Sequence, residues 1–228
     1  MEAVLPPELD VIFTSDWGGP FDGRDLTLAG LEQHGYQLFP WRIPSDRAWW
    51  NRSLRFGEIG CALSHLACWR DAAARAEPYL MVLEDDVVLV PGFLEVLLDE
   101  LNRLASHGPA FDLLYLGRCP RGVDRPVRPG LVSPGFSYAT TGYLVGRAGL
   151  EVMLSARLDQ AILPVDEFLP ALYTDHPRPD VRARFPQRLT ALAFDPPLLT
   201  DLPVDGEDSN TRDSAPAQLP ASGGDDPL

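Results

Sequence analysis

The chain has no lysine: all nineteen of its basic residues are Arg. That excludes a Schiff-base Lys and a phosphate-loop Lys. With abundant Ala, Pro and Gly, the pattern reads as codon bias in a GC-rich, bacterial genome. Cysteine is scarce, with three residues, Cys61, Cys68 and Cys119, and no CxxC pair. An odd count without framework spacing argues for reduced thiols. Cys61 and Cys68 share a helix face and read as packing residues. Positive charge is short as well. The net charge is −14, which excludes the basic footprint of a nucleic-acid binder. Long apolar runs are missing, and none approaches the roughly 18 residues that span a bilayer. The opening MEAVLPPELD has neither the basic nor the apolar part of a secretory signal. The expected compartment is the cytoplasm.

What is present is ordinary globular material: 228 residues, 45% hydrophobic and 23% charged. The acids are uneven. Asp201–Leu228 holds seven acids and one base while its apolar content collapses. It is expected to be a disordered acidic tail on a folded domain spanning residues 1–200.

The most informative stretch is Tyr79–Pro91, YLMVLEDDVVLVP. Tyr79–Leu83 is an unbroken apolar run and reads as a strand buried on both faces, as in the middle of a parallel sheet. Glu84, Asp85 and Asp86 follow at once. Three unpaired carboxylates do not belong in a core. They are expected beyond the strand ends, where open α/β sheets bind ligands. Their oxygens suit Mg2+ or Mn2+, ions that carry phosphates. A polar, solvated turn is the plainer reading of the same residues.

The rest of the chain alternates. Leu9–Thr14 and Tyr36–Ile43 read as strands around a helix over Arg24–His34 that stops at Gly35, a parallel α/β unit. Pro44–Arg55 is aromatic and basic, either a flap over a ligand or a surface loop pinned by Trp49 and Trp50. Gly57–Arg75 is the best helix, with Glu58, Cys61, Ser64 and His65 toward one side. Glu58 at its amino end and a satisfied, half-buried His65 are the plain readings there. Phe93–Ser106 is a second amphipathic helix. Phe111–Gly117 is a buried strand and Arg118–Pro134 an irregular Arg- and Pro-rich excursion. Thr140-Thr141-Gly142 reads as a turn into a strand. Asp166-Glu167 opens a short helix. It is either a solvated amino-end pair or a source of a general base.

Five segments in order, GEIGCALSH (Gly57–His65), LEDD (Leu83–Asp86), FDLLYLGR (Phe111–Arg118), SYATTGYLVGRAG (Ser137–Gly149) and LPVDEFLP (Leu163–Pro170), resemble glycosyltransferase family 25. That family includes bacterial lipopolysaccharide galactosyltransferases and the transferase domain of procollagen galactosyltransferases. The resemblance implies a GT-A-like nucleotide-sugar-binding fold with a mixed, mostly parallel central sheet flanked by helices. It implies a UDP-sugar donor, often UDP-galactose, a divalent metal, Mn2+ or Mg2+, and inverting transfer to a hydroxyl of a saccharide or other acceptor. Membrane association, if any, would be peripheral and through that acceptor.

Carried onto this chain, the resemblance makes Asp86 the metal ligand. It places Glu84, Asp85, Glu58, Ser64, His65, Arg24, Thr141 and Tyr143 around the donor, with Asp166 or Glu167 as catalytic base and a lean to Asp166. The chain also departs from the family pattern. Its first loop, TSDWGGPFDGR, offers only Arg24 where the family has an Arg-rich stretch, leaving Arg47, Arg52 or Arg55 as substitutes. Leu199–Pro203, LTDLP, lacks the family's His, leaving Asp201 or Asp205 to replace it. These departures keep open a degenerate, sugar-nucleotide-binding or scaffold member, and more remotely a metal-dependent phosphoryl-transfer or hydrolytic enzyme.

Overall fold

A computed structural model describes residues 11–14, 17, 19, 21–201 and 214–217. In chain order the elements are α1 (Leu28–Gln33), α2 (Phe56–Ala73), β1 (Tyr79–Leu83), β2 (Val87–Leu89), α3 (Phe93–His107), β3 (Leu113–Pro120) and β4 (Arg125–Arg128). There follow β5 (Leu131–Ser133), β6 (Ser137–Gly146), α4 (Arg147–Ser155), α5 (Val165–Tyr173), α6 (Pro179–Arg184), β7 (Ala191–Phe194) and β8 (Leu199–Asp201). Six strands form one sheet in the order β1-β6-β3-β7-β5-β4, and β2 pairs with β8 in a small second sheet.

Alternation along the strands builds two cores. On β3, Leu113 and Tyr115 face a core shared with Ile59, Leu63 and Trp69 of α2, Met153 of α4 and Phe168 of α5. Leu114 and Leu116 face the other way, toward Phe93 and Leu97 of α3 and Leu199 of β8. The sheet therefore lies between two layers, a mixed α/β architecture consistent with a GT-A-like fold. No helix among the described residues is long and apolar enough to cross a membrane.

The sheet is mixed but not mostly parallel. Only β3 and β7 run parallel. The pairs β1–β6, β3–β6, β5–β7 and β4–β5 are antiparallel. An apolar run reports burial on both faces, and an antiparallel strand between two layers is buried as fully as a parallel one. Nor is β1 central. It is an edge strand of this sheet and pairs with β6. The strand expected at Leu9–Thr14 lies partly outside the described residues, and Val11–Phe13 form none. Tyr36–Ile43 contributes a single parallel bridge, Leu38 to Ile162.

The stop at Gly35 does appear. Its φ is +77°, and the Gly35 and Tyr36 N–H groups close back on the Glu32 and Leu31 carbonyls at 2.9 Å each. Most of the acidic tail lies outside the described residues. Ser214–Ala217, however, docks on the start of α2. Gly57 N–H donates to Ser214 Oγ at 2.8 Å, and Ala217 N–H donates to the Leu54 carbonyl at 2.7 Å.

Candidate active site

The site begins where β1 ends. Its register brings Leu83 opposite Gly142, and Glu84 N–H donates to the Thr141 carbonyl at 3.1 Å. A Cβ at Gly142 would come within 2.8 Å of both the Leu83 and Leu199 side chains, whose terminal methyls would have to shift. Asp85 and Asp86 then form the turn into β2, with Asp85 exposed and Glu84 and Asp86 half-buried. Across the small sheet, Val87 is paired with Asp201. This puts the Asp201 backbone one residue from Asp86 in register.

Opposite this turn, β6 is irregular. Between the Gly117–Gly142 and Cys119–Tyr138 pairs, β6 carries more residues than β3. Such a bulge re-aims side chains. Ala139 sits at φ +60°, a conformation that costs a non-Gly residue about 1–2 kcal/mol. Its backbone N–H and the Thr140 side chain both act on Asp166 to favour the ionised carboxyl. Thr140 Oγ1 also lies 2.6 Å from Glu84 Oε1, as donor. One threonine hydroxyl thus joins the acidic turn to the first turn of α5. Burial pushes the Asp166 carboxyl up to about 6, and the Glu167 and Glu58 charges add to the shift against the Ala139 N–H and the Thr140 side chain, which lower it. A carboxylate so poised suits general-base work near neutral pH.

Its neighbour Glu167 is placed differently. It is fully buried. Oε1 accepts from Trp49 Nε1 at 2.7 Å, Tyr138 Oη at 3.0 Å and Trp50 Nε1 at 3.4 Å. Oε2 meets His176 Nε2 at 2.6 Å. Glu58 has a similar fate. It accepts from Arg55 N–H at 2.7 Å at the helix start and pairs with both Arg52 Nη atoms. Arg52 in turn stacks 4.2 Å over Trp49, and Arg47 stacks 4.6 Å over Trp50. Two buried carboxylates thus pin the aromatic strap by its tryptophans, as the plain reading of Pro44–Arg55 has it.

The remaining candidates separate. His65 is buried, with Nδ1 2.8 Å from Tyr143 Oη and Nε2 3.9 Å from Glu84 Oε1. Burial lowers its pKa to about 4. Tyr143 is fully buried, its hydroxyl shared between His65 and Trp69 Nε1 at 2.8 Å each. It supports His65. Thr141 is buried and contributes its carbonyl. Ser64 Oγ donates back to the Gly60 carbonyl at 3.0 Å. Arg24 is exposed and forks onto Asp22. The structure therefore gathers Glu84, Asp85, Asp86, His65 and Asp166, commits Glu58, Glu167 and Tyr143 to internal partners, and leaves Arg24 aside.

Sequence reasoning missed Thr140 and Ala139, because a bulge inside a strand looks like a turn, and it missed His176. Cys61 was also undervalued. Its thiol is pushed up by burial and then by Glu84, Asp166, Glu58 and Asp85, so it lies among the site's acids.

Residues 42–121 match the family model described as "Glycosyltransferase family 25 (LPS biosynthesis protein)". The chain is 33% identical over 199 residues to Procollagen galactosyltransferase 1 of Danio rerio, covering 85% of this chain and 32% of that protein. It is 33% identical over 204 residues to the Probable inactive glycosyltransferase 25 family member 3 of Rattus norvegicus, covering 86% of this chain and 35% of that one. The Inactive glycosyltransferase 25 family member 3 of Homo sapiens is 33% identical over 207 residues, covering 86% of this chain and 34% of that one. The chain thus spans about a third of the length of these relatives. By its five ordered motifs, the match over residues 42–121 and these relatives, the chain is similar over most of its length to members of glycosyltransferase family 25.

Proposed function

We propose that this chain is a transferase module that moves a hexose, most naturally galactose, from a UDP-sugar to a hydroxyl of a saccharide or other acceptor, with inversion. The observation that carries this reading is the meeting of Asp166, held up to about 6, with the Glu84–Asp86 turn through the Thr140 hydroxyl. Inverting transfer is one in-line displacement and requires a base that removes the acceptor proton. Asp166 fits this role. Glu167 does not, since its oxygens are filled by four protein donors and it is sealed from solvent.

The donor set of the turn is all carboxylate oxygen, which fits Mn2+ or Mg2+. Asp86 would hold the ion with Asp85 beside it, and Asp201 lies nearby along the paired backbone. When bound, the ion would neutralise charge on the departing diphosphate. Glu84, fixed by Thr140, would orient the donor. Acceptor choice, a surface-glycan precursor included, belongs to loops such as Arg118–Pro134. A cytoplasmic site of action is part of the same reading.

A second reading is supported by two relatives whose names carry "inactive" and by Arg24, which is tied to Asp22. In it the module binds a sugar nucleotide without turnover. The purified chain with Mn2+ and a panel of UDP-sugars separates the two. Donor hydrolysis with a rise in melting temperature is expected. Protection without hydrolysis would leave the binding module, and neither response would end both readings.

A further inference from the structure

Three different ligand chemistries converge beside the acidic turn. Cys61 and His65 lie four residues apart on α2, so they stack on one face of the helix a turn apart. Glu84 reaches them from the end of β1. The Cys61 Sγ, a His65 ring nitrogen and a Glu84 carboxylate oxygen all lie within 4.8 Å of one another. His65 Nε2 and Glu84 Oε1 are already 3.9 Å apart.

Ligand atoms around a tetrahedral ion with bonds of about 2.0–2.3 Å sit roughly 3.3–3.8 Å from each other. Closing this set therefore needs a side-chain shift of about 1 Å. The hydrogen bonds that would hold His65 in place are already made. A metal on Nε2 selects the tautomer with the proton on Nδ1, and Tyr143 Oη lies 2.8 Å away to accept it. Trp69 Nε1, 2.8 Å from the same oxygen, holds Tyr143 in position.

We propose that Cys61, His65 and Glu84 form a thiolate–imidazole–carboxylate site for a borderline-soft divalent cation such as Zn2+, distinct in donor chemistry from the all-oxygen turn at Asp85 and Asp86. Thiolate and imidazole select Zn2+ over Mg2+ and Mn2+, which prefer oxygen. Three protein ligands leave a fourth position open. Binding replaces the Cys61 thiol proton, which passes to buffer, and His65 binds as the neutral ring. The negative field of Asp85, Asp166 and Glu58 around this thiol favours a dication there. The site also draws on Glu84, which Thr140 otherwise engages. Zn2+ is therefore expected to oppose whatever Glu84 does at the turn. The proposal does not depend on transferase activity.

Co2+ serves as the spectroscopic probe, titrated into the full, reduced chain. A saturable near-ultraviolet thiolate-to-cobalt charge-transfer band is expected, bleached by one equivalent of Zn2+ and unaffected by excess Mg2+. Cys61→Ser abolishes the band, whereas the Cys68→Ser/Cys119→Ser double variant keeps it. His65→Gln and Glu84→Gln each weaken Zn2+ binding by more than about tenfold, with circular dichroism confirming the fold. If Cys61→Ser proves unfolded, the double variant decides, since loss of its band places the thiolate elsewhere. No band in the wild-type chain, or a band that persists in folded Cys61→Ser, overturns the assignment.

Discussion

Two groups of acids in this molecule do opposite things. The acids of the strap, Glu58 and Glu167, are sealed in and saturated by Arg52, Arg55, Trp49, Trp50, Tyr138 and His176. The acids of the turn, Glu84–Asp86, together with Asp166 keep a more open setting. Burial favours whichever state is best solvated by the protein. A carboxylate with a full set of donors acts as a structural anchor. One with few donors in a partly apolar site is pushed toward the proton and becomes chemically useful. Asp166 and Glu167 are adjacent in sequence yet fall on opposite sides of this division.

The largest effect should come from Asp166→Asn. Transfer to acceptor is expected to fall by about 10²–10⁴-fold, with UDP-sugar protection against melting retained. An active Asp166→Asn would erase the functional half of the comparison. Glu167→Ala comes next, through stability. It strips the partners from half-buried Trp49 and Tyr138 and from buried His176, at a cost of about 3–5 kcal/mol in urea unfolding. Glu167→Gln retains an acceptor oxygen and should recover part of that loss. If Glu167→Gln instead keeps full stability but stops turnover, the two roles are exchanged.

How far these roles can be seen in the chain itself differs by residue. The turn Glu84–Asp86 is visible because acids abutting an apolar run have no place in a core. The helix Phe56–Ala73 and its stop-start partners are visible because periodicity and glycine placement are local. Strand direction is not, since burial gives parallel and antiparallel strands the same apolar run. The contrast between Asp166 and Glu167 is invisible too. It depends on donors Trp49 and Trp50, more than a hundred residues away. Thr140 is hidden for a related reason, because its role rests on a bulge that exists only once β3 and β6 pair.

A third, smaller effect is in the pH dependence of stability. The ordinary Asp166 carboxyl titrates at 3.8 and the folded one at about 6. Between those values the folded state holds more protons than the unfolded one, so stability falls as pH rises, by about 3 kcal/mol in total. His65 acts in the reverse sense. Its folded pKa of about 4 lies below the ordinary 6.5, so stability rises with pH over nearly the same window. The Cys61 thiol and the Glu58, Glu84 and Glu167 carboxylates complete the charges around them. The wild-type curve should therefore be nearly flat, and Asp166→Asn should convert it into a clear rise from pH 4 to 6.5. A variant curve as flat as the wild type would show that Asp166 ionises normally.

The smallest and most specific effect belongs to Thr140→Val, which keeps the shape and removes the hydroxyl. One hydroxyl carries one proton, yet it lies against both Glu84 and Asp166. When Asp166 ionises it competes with Glu84 for that proton. Because the Thr140 hydroxyl lowers the Asp166 pKa, its removal should raise it further. The acid limb of kcat/KM should then move to higher pH, and unfolding free energy at neutral pH should drop by about 1–2 kcal/mol. Valine acting only through packing would lower stability and leave the limb where it was. A limb that shifts upward ties the base to the acidic turn through this one hydroxyl, and a limb that stays put separates them.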